Sequence, residues 1–420
     1  MKQVLLLATT TGYQIRSFGE AARRLGIRLL FASDRCDRLE DPWWDGAIPV
    51  RFHELSPSIE AVVAACRGRA IAGVLAVGDR PTVLAAHLSA ALGLEGNPPR
   101  AAETCRNKLA ARRAFASAGL LTPDFQVLSL SEPPSALTAV SYPVVVKPLA
   151  LSASQGVIRA DNDRELTEAI ERVSRLLRST DILIERDNAH RFVLVEAFIP
   201  GREYAVEGVL TDGALRIFTI FDKPDPLDGP FFEETIYVTP SRASAAAQRA
   251  IGDAVTGAAC ALGLRHGPVH AECRVNGNGV YVLEVAARPI GGRCSTAIRF
   301  TGPDERLATL EEVLLRHAVG EPIDLDRTID EATGVMMIPI PRRGIFRAVR
   351  GVNDARHEAG IDDVMITAKP DSRLVPLPEG RSYLGFIFAT GKTADDVERA
   401  LRNAHSRLEF VIDREVEVTR

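Results

Sequence analysis

Strand-like and helix-like hydrophobic patterns alternate over the first hundred residues. Val4 to Ala8 is a continuous apolar run, Ser17 to Leu25 has helical spacing, and Ile27 to Ala32 is a second apolar run. Ile71 to Val77 repeats the strand pattern ahead of another helical segment. Because alternating strands and helices build parallel sheets, the pattern predicts an open parallel α/β domain over residues 1–103. No Gly-x-Gly-x-x-Gly follows the first strand, which argues against a dinucleotide fingerprint.

A lysine and a loop of small polar residues follow one buried strand in the middle of the chain. Val144 to Val146 is apolar and Lys147 comes directly after it, so the lysine charge needs a partner anion. The next loop is made of small and polar residues: Ser152, Ala153, Ser154, Gln155 and Gly156. Their hydroxyls and flexible backbone N–H groups suit phosphate binding, and a simple hairpin turn is the alternative.

A second lysine lies in the first turn of a predicted helix. Thr104 or Asn107 can cap this helix, and Lys108 then opposes the helix dipole unless an anion lies between them. A solvated surface lysine is the alternative. Further along, Glu196 closes one strand and Glu203 opens the next, an arrangement that is commonplace around a turn.

A β-hairpin carries acids where its strands should be apolar. Val269 to Val275 and Val280 to Val285 are joined by Asn-Gly-Asn-Gly, whose residues tolerate positive φ. Glu272 shares one strand face with His270, and Glu284 lies on the neighbouring strand, so both carboxylates can reach one point. Carboxylates held side by side are often neutralised by a hard divalent cation. A solvated strand face is the alternative.

The hairpin leads into one arginine and two glycines. Arg288 is placed beside the acids, where it can neutralise a phosphate or a developing oxyanion. Gly291 and Gly292 leave the chain there without side chains, which allows close approach of a ligand.

A proline- and acid-rich loop over residues 221–240 is long for a compact domain, as functional loops often are. Asp222, Glu233 and Glu234 can bind a substrate ammonium, and the edge of a solvated lid is the alternative. An apolar helix from Glu305 to Val319 is expected to close this region.

The last hundred residues mix strands and a helix without an acid–base group that suggests chemistry. The strands are predicted at 334–340, 344–350, 363–367 and 383–390, and the helix at 395–407. This pattern predicts a small α+β domain over residues 321–420.

Composition narrows the class of protein. A chain of 420 residues is too long for one core, and a net charge of −4 gives no reason to expect a nucleic acid or an anionic membrane as partner. The six cysteines are scattered without a Cys-x-x-Cys pair, which favours reduced thiols and a cytoplasmic location. The apolar run in residues 1–10 is too brief for a signal segment or a membrane span.

The hairpin sequence, HAE…LEVAARPIGG, resembles the metal hairpin of ATP-grasp ligases, and its Glu-x-Ala-Ala-Arg form is most similar to the L-amino acid ligase branch. The other ATP-grasp parts precede it in order, so the resemblance covers essentially the whole chain. It implies an α/β and α+β fold in three parts: the N-terminal domain, an ATP-grasp domain over 104–320 with a flap subdomain at about 120–190, and the C-terminal domain.

The resemblance also implies roles for individual residues. Lys108, Lys147 and the loop with Ser152, Ser154, Gln155 and Gly156 would bind the phosphates of ATP. Glu196 and the backbone near Phe198 would bind adenine, and Glu203 the ribose. Glu272 and Glu284 would hold one or two Mg²⁺ ions, or Mn²⁺, while Ala286 replaces the asparagine ligand of many ATP-grasp enzymes and leaves the second ion open. The catalytic side chains would be Arg288, His270 and Lys147.

The expected activity is ATP-dependent ligation of a carboxylate to an amine through an acyl phosphate, with release of ADP and phosphate. The substrates are expected to be amino acids, contacted by Glu233, Glu234, Gly291 and Gly292, and a homodimer is compatible with this interpretation. One alternative is an ATP-grasp carboxylase or purine-pathway ligase. Another is a regulatory nucleotide-binding protein with a degenerate active site, although Lys147, Glu272, Glu284 and Arg288 are all intact.

Overall fold

The N-terminal part is a parallel sheet covered by helices. We describe a computed structural model of the chain over residues 2–9, 14–34, 47–302, 306–324, 326–327 and 331–415. The first elements are β1 (Gln3–Ala8), α1 (Ile15–Leu25), β2 (Arg28–Ser33), β3 (Ile48–Pro49), α2 (Leu55–Cys66), β4 (Ile71–Val77) and α3 (Pro81–Leu92). The strands lie in the order β3-β2-β1-β4, and their apolar residues are buried because helices cover both faces.

A second, antiparallel sheet forms the flap region. The elements here are α4 (Pro99–Arg106), α5 (Lys108–Ser117), β5 (Phe125–Ser129), β6 (Val144–Pro148), β7 (Ile158–Ala160), α6 (Asp163–Leu177), α7 (Thr180–Leu183) and β8 (Phe192–Ala197). The strand order is β5-β8-β6-β7, and α6 packs its apolar face on β6 and β7. The Asn107 side chain caps α5 by accepting the N–H groups of Leu109 and Ala110.

The third sheet runs through the rest of the molecule. Its region contains β9 (Arg202–Thr211), β10 (Ala214–Asp222), β11 (Ile236–Thr239), α8 (Ala245–Leu262), β12 (Gly267–Asn276), β13 (Gly279–Ala286), β14 (Arg299–Thr301), β15 (Leu307–Thr309) and α9 (Leu310–Ala318). Helix α9 begins at Leu310, after a capping box of Thr309 and Glu312, and the predicted start at Glu305 lies outside the described residues.

The C-terminal elements continue this sheet. They are β16 (Asp326–Arg327), β17 (Ala332–Ile338), β18 (Gly344–Arg350), α10 (Val352–Arg356), β19 (Ile361–Ile366), β20 (Arg373–Leu374), β21 (Gly385–Gly391), α11 (Ala394–Ser406) and β22 (Glu409–Asp413). The order of the eight-stranded sheet is β13-β12-β9-β10-β11-β17-β21-β19, with β11 paired antiparallel to β17. Strands on both sides of the predicted boundary near residue 320 therefore belong to the same sheet.

Smaller sheets, β15-β14-β16 and β20-β18-β22, flank the large one. Among the described helices, none combines the length and the apolar character needed to cross a membrane. The mixed α/β and α+β architecture expected from the sequence is confirmed, and the large sheet carries the hairpin β12–β13 and the floor of the main cleft.

Candidate active site

A cleft of about 1470 Å³, counting the space open to solvent, lies where the three regions meet. It brings together most of the residues singled out in the sequence: Lys108, Lys147, Ser152, Ser154, Glu196, Phe198, Glu203, Glu234, His270, Glu272, Glu284, Arg288, Gly291 and Gly292. Gln155, Gly156 and Glu233 are not among its lining residues.

The hairpin β12–β13 places its two glutamates side by side. Glu272 is paired in register with Glu284, and His270 with Ala286, because the two strands are antiparallel and joined by a tight turn. The Lys108 ammonium lies 3.2 Å from Glu284 Oε2. Carboxylate oxygens in this arrangement are ligands that Mg²⁺ accepts, so the hairpin fits a metal ion. The buried methyl group of Ala286 offers no further ligand.

A lysine that the sequence analysis missed holds three carboxylates together. Lys223 Nζ donates to Glu203 at 2.9 Å, to Glu234 at 2.7 Å and to Glu272 at 2.9 Å. Burial by itself would lower the pKa of Lys223, but the three carboxylates raise this pKa well above its ordinary value. The signal in the sequence was a lone cation at the start of an acidic loop.

The carboxylates of this group differ in acidity. Burial and the negative charge of Glu272 raise the pKa of Glu234 to about 7, although Lys223 acts in the opposite direction. Burial also opposes ionisation of Glu272, but Lys223 and His270 hold its pKa well below the ordinary value. Of these two neighbouring carboxylates, Glu234 is therefore the one whose protonation is favoured.

His270 is buried between two acids. Its Nδ1 lies 3.3 Å from Glu207 Oε2, and its Nε2 lies 3.7 Å from Glu272 Oε1. Burial lowers the pKa of the imidazole, but these two carboxylates outweigh burial and raise the pKa to about 8. Glu207 lies on β9 directly opposite His270 and accepts the Ile290 N–H at 3.1 Å. An acid in the buried middle of strand β9 was the available signal, and it was not used.

Arg288 is held by an acid from the N-terminal sheet. Its Nε and Nη2 donate to the two carboxylate oxygens of Asp79 at 2.9 and 3.2 Å. Burial would raise the pKa of Asp79, but Arg288, with a smaller contribution from Lys108, lowers this pKa below its ordinary value. Asp79 follows β4 at the carboxyl end of a parallel strand, which is where ligand sites of such sheets lie. Its position at the end of β4 could have identified Asp79 as a site residue from the sequence.

Lys147 and Lys108, the two lysines expected to bind phosphate, have different partners. Lys147 donates to Glu196, whose two oxygens also accept Arg112 Nε at 2.9 Å and Arg112 Nη2 at 3.3 Å. Burial lowers the pKa of Lys147 to about 8 in spite of Glu196. Burial opposes ionisation of Glu196 too, but Arg112 and Lys147 lower its pKa to about 2. Lys108 donates to the Leu151 carbonyl at 2.8 Å and so fixes the start of the flap.

One end of the cleft is aromatic and apolar. The Phe198 ring lies under the guanidinium groups of Arg159 at 4.4 Å and Arg274 at 5.0 Å. Arg274 Nε also donates to Glu203 Oε2 at 2.8 Å, so Glu203 is positioned beside this end. The remaining side chains are apolar: Val145, Leu227, Phe232 and Leu283.

The flap loop, defined as residues 151–157, has two differently directed halves. Ser152, Ala153 and Ser154 line the cleft, with Ala153 and Ser154 at φ values of 55° and 53°. The next two residues turn away, since Gln155 Nε2 donates to the Glu379 carbonyl at 2.7 Å and the Gly156 N–H donates to the Pro378 carbonyl at 2.8 Å. The structure therefore does not place Gln155 and Gly156 at the cleft.

Two acids of the 221–240 loop also lie elsewhere. Asp222 accepts the hydroxyl of Ser241 at 2.5 Å and the Nε of Arg242 at 2.7 Å, outside the cleft. Glu233 is half-buried away from the cleft lining, and burial raises its pKa. Successive residues of an extended segment point in opposite directions, so only Glu234 faces the cleft.

Comparison with known proteins identifies two domain families in this chain. The model of the ATP-grasp domain matches residues 140–297, and that of the L-amino acid ligase C-terminal domain 2 matches residues 336–413. The uncharacterized protein y4rH of Sinorhizobium fredii (strain NBRC 101917 / NGR234) is 25% identical over 98% of this chain and 84% of its own length. Alanine–anticapsin ligase of Bacillus subtilis (strain 168) is 29% identical over 48% of this chain and 44% of its own length, so the chain spans under half of that enzyme.

Solved structures show the same fold over nearly the whole chain. The L-amino acid ligase from Bacillus licheniformis superposes with a TM-score of 0.78 at 24% identity, covering 98% of this chain and 99% of that one. N5-carboxyaminoimidazole ribonucleotide synthetase from Thermotoga maritima gives a TM-score of 0.70 at 15% identity over 98% and 100%. Both domain models match in order on one chain, so the ATP-grasp domain and the C-terminal domain of the L-amino acid ligase type that the sequence analysis expected are confirmed.

Proposed function

We propose that the protein joins two amino acids at the expense of ATP. The carboxylate of one substrate attacks the γ-phosphorus and ADP leaves; the amine of the second then attacks the acyl phosphate, and phosphate leaves. The observation that carries the proposal is one cleft lined by two lysines, Lys108 and Lys147, by the neighbouring carboxylates of Glu272 and Glu284, and by Glu234, which we assign to a substrate ammonium.

The nucleotide is assigned to the aromatic end and the flap. The planar base fits beside Phe198 and Phe232. The Glu203 oxygens already accept Lys223 and Arg274, so Glu203 offers its remaining lone pairs to the ribose hydroxyls. Both oxygens of Glu196 are bound by Lys147 and Arg112, so Glu196 acts by orienting Lys147, and the backbone near Phe198 is left to contact the base. Lys108, Lys147 and the Ser152–Ser154 half of the flap face the phosphates.

Glu272 and Glu284 are the residues that would hold Mg²⁺, and their carboxylate oxygens fit a hard cation. A bound ion supplies charge neutralisation for the phosphates and the transferred phosphoryl group. Because Ala286 adds no ligand, a second ion would depend on the same two carboxylates.

The amino acid substrates are assigned to the end with Arg288. Arg288, held in place by Asp79, stabilises negative charge on the acyl phosphate and the tetrahedral intermediate, and the His270 imidazolium faces the same space. Glu234 binds an ammonium group. Gly292 has a φ of 58°, which strains any residue with a side chain, so this wall stays open and we expect at least one bulky substrate.

The test is ATP turnover with amino acids supplied singly and in pairs, with hydroxylamine added in parallel to trap the acyl phosphate as its hydroxamate. ADP formation that depends on a pair, together with a condensed product, supports the proposal. Release of AMP and pyrophosphate contradicts it. Turnover with bicarbonate and without any amino acid would support the carboxylase alternative instead.

We place the reaction in the cytoplasm. The five cysteines in the described part of the chain, Cys66, Cys105, Cys260, Cys273 and Cys294, are free thiols, and four of them are buried. Reduced thiols support an intracellular location.

A further inference from the structure

The back of the flap loop rests on a short loop of the C-terminal region, residues 375–380, here named the latch loop. Two hydrogen bonds join them: the Gly156 N–H donates to the Pro378 carbonyl at 2.8 Å, and Gln155 Nε2 donates to the Glu379 carbonyl at 2.7 Å. The flap loop is thus enclosed, with Ser152 and Ser154 on the cleft side and the latch loop behind.

One side chain of the latch loop, Glu379, also binds helix α6, which lies behind the flap loop. Glu379 accepts Arg172 Nε at 2.5 Å and Arg172 Nη2 at 3.0 Å, a bidentate pair with α6. The Arg172 guanidinium lies 4.9 Å from the centre of the Phe231 ring, which restricts it further. Burial opposes ionisation of Glu379, but Arg172 lowers its pKa below the ordinary value, so the pair stays charged at neutral pH.

The latch loop itself is tightly closed. The Gly380 N–H donates to the Pro376 carbonyl at 2.9 Å, and a Cβ on Gly380 would lie 1.7 Å from the Val375 oxygen. Gly156 is similarly constrained, since it has φ of 74° and a Cβ there would lie 2.8 Å from Pro148 Cγ. Both acceptors on the latch loop are backbone carbonyls, and these are held in place because the loop is compact. Movement of the latch loop would therefore move the flap loop with it.

We propose that the latch loop positions the flap over the nucleotide, with Glu379 as the positioning residue. This proposal rests on the proposed function, in which the flap faces the phosphates of ATP. Glu379 binds Arg172 through its carboxylate and Gln155 through its carbonyl, so one residue sets the flap against both α6 and the C-terminal region. The C-terminal domain then contributes to nucleotide retention without lining the phosphate site.

The experiment compares Glu379→Gln and Arg172→Gln with the wild-type protein. Amide hydrogen exchange of a peptide covering residues 151–157 should be faster in both variants, because the latch loop, which carries the Pro378 carbonyl that accepts the Gly156 N–H, is then held less firmly. The KM for ATP should rise about fivefold, with kcat at saturating ATP changed less than about twofold, since the pair is only partly buried. The double variant should show no further change, because both substitutions break one contact.

The matched control is Glu168→Gln. It removes the exposed ion pair of Arg164 and Glu168 at 2.7 Å on the same helix, with no contact to the flap loop. Unchanged exchange in Glu379→Gln, or an equal change in Glu168→Gln, would overturn the latch. Faster exchange with an unchanged KM for ATP would overturn the positioning role. A wild-type protein without ATP turnover would overturn the proposed function instead and leave the exchange result standing.

Discussion

The hairpin β12–β13 and the flap loop both carry residues that we propose contact the nucleotide or its metal ion, yet the two segments place these residues differently. In the hairpin, all three polar side chains expected at the site, His270, Glu272 and Glu284, line the cleft. In the flap loop Ser152 and Ser154 line the cleft, whereas Gln155 and Gly156 contact the latch loop.

The difference has a physical cause. Residues two apart on a strand must point to the same face, and β12 is fixed on both sides by β9 and β13, so the direction of His270 and Glu272 follows from the strand alone. A loop has no such constraint. Its direction is set by whatever packs on it, and here that is a segment more than two hundred residues further along the chain. The direction in which a side chain points can be predicted from local sequence for a strand residue, but not for a loop residue.

The largest effect should come from removing a charge on the hairpin. Glu284→Gln keeps the shape of the side chain and relieves repulsion with Glu272, so the protein should fold normally while turnover falls about 100- to 1000-fold. ADP release at saturating ATP and the thermal unfolding midpoint measure the two expectations. The exposed Glu409→Gln is the control. An active Glu284→Gln enzyme with unchanged magnesium dependence would refute the metal assignment.

The second prediction concerns Lys147, which lies on β6, the strand that leads into the flap loop. Lys147→Met should weaken ATP binding about 10- to 100-fold, as expected for loss of a hydrogen bond between charged groups. Since the pKa of Lys147 is about 8, about half of the free protein lacks this charge at pH 8, and phosphate binding should draw in about half a proton. Calorimetry in buffers of different ionisation enthalpy measures this uptake, which the variant should lose. The exposed Lys392→Met is the control, and equal uptake in Lys147→Met would assign the proton to another group.

Sequence patterns supplied the strands, helices and main acids because these depend on local spacing. The predicted C-terminal strands and helix lie within two residues of the observed ones. What the patterns lacked were partners brought together by the fold: Asp79 for Arg288, Glu207 for His270, and Lys223 among three glutamates. Each partner comes from a different strand or loop, so no spacing in the sequence connects it to the residue it holds. Glu196 shows the same limit, since Arg112 and Lys147 take its oxygens.

The third prediction concerns His270 on the hairpin and the dependence of folding stability on pH. Its pKa of about 8 lies above the ordinary 6.5, so protonation favours the folded state. The contribution is complete below pH 6.5 and is lost as the pH rises through 8. It amounts to about 2 kcal/mol at 1.36 kcal/mol for each pKa unit. The advantage of the wild-type protein over His270→Gln in thermal unfolding should therefore shrink between about pH 6 and pH 9. His87→Gln, on the partly exposed face of α3, is the control, and a constant difference across this range would contradict the assignment.

The smallest effect distinguishes the two halves of the flap loop. Ser154→Ala removes a hydroxyl on the cleft side, and the KM for ATP should rise about threefold to tenfold. Ala153 already adopts the same left-handed conformation, so alanine at 154 should not distort the loop. Gln155→Ala removes only the hydrogen bond to the latch loop, and the KM should rise about twofold, with faster amide exchange in the flap. Ser154→Ala should leave that exchange unchanged, because its hydroxyl faces the cleft. A larger KM defect in Gln155→Ala than in Ser154→Ala would mean that the loop turns its other half to the nucleotide when ATP binds.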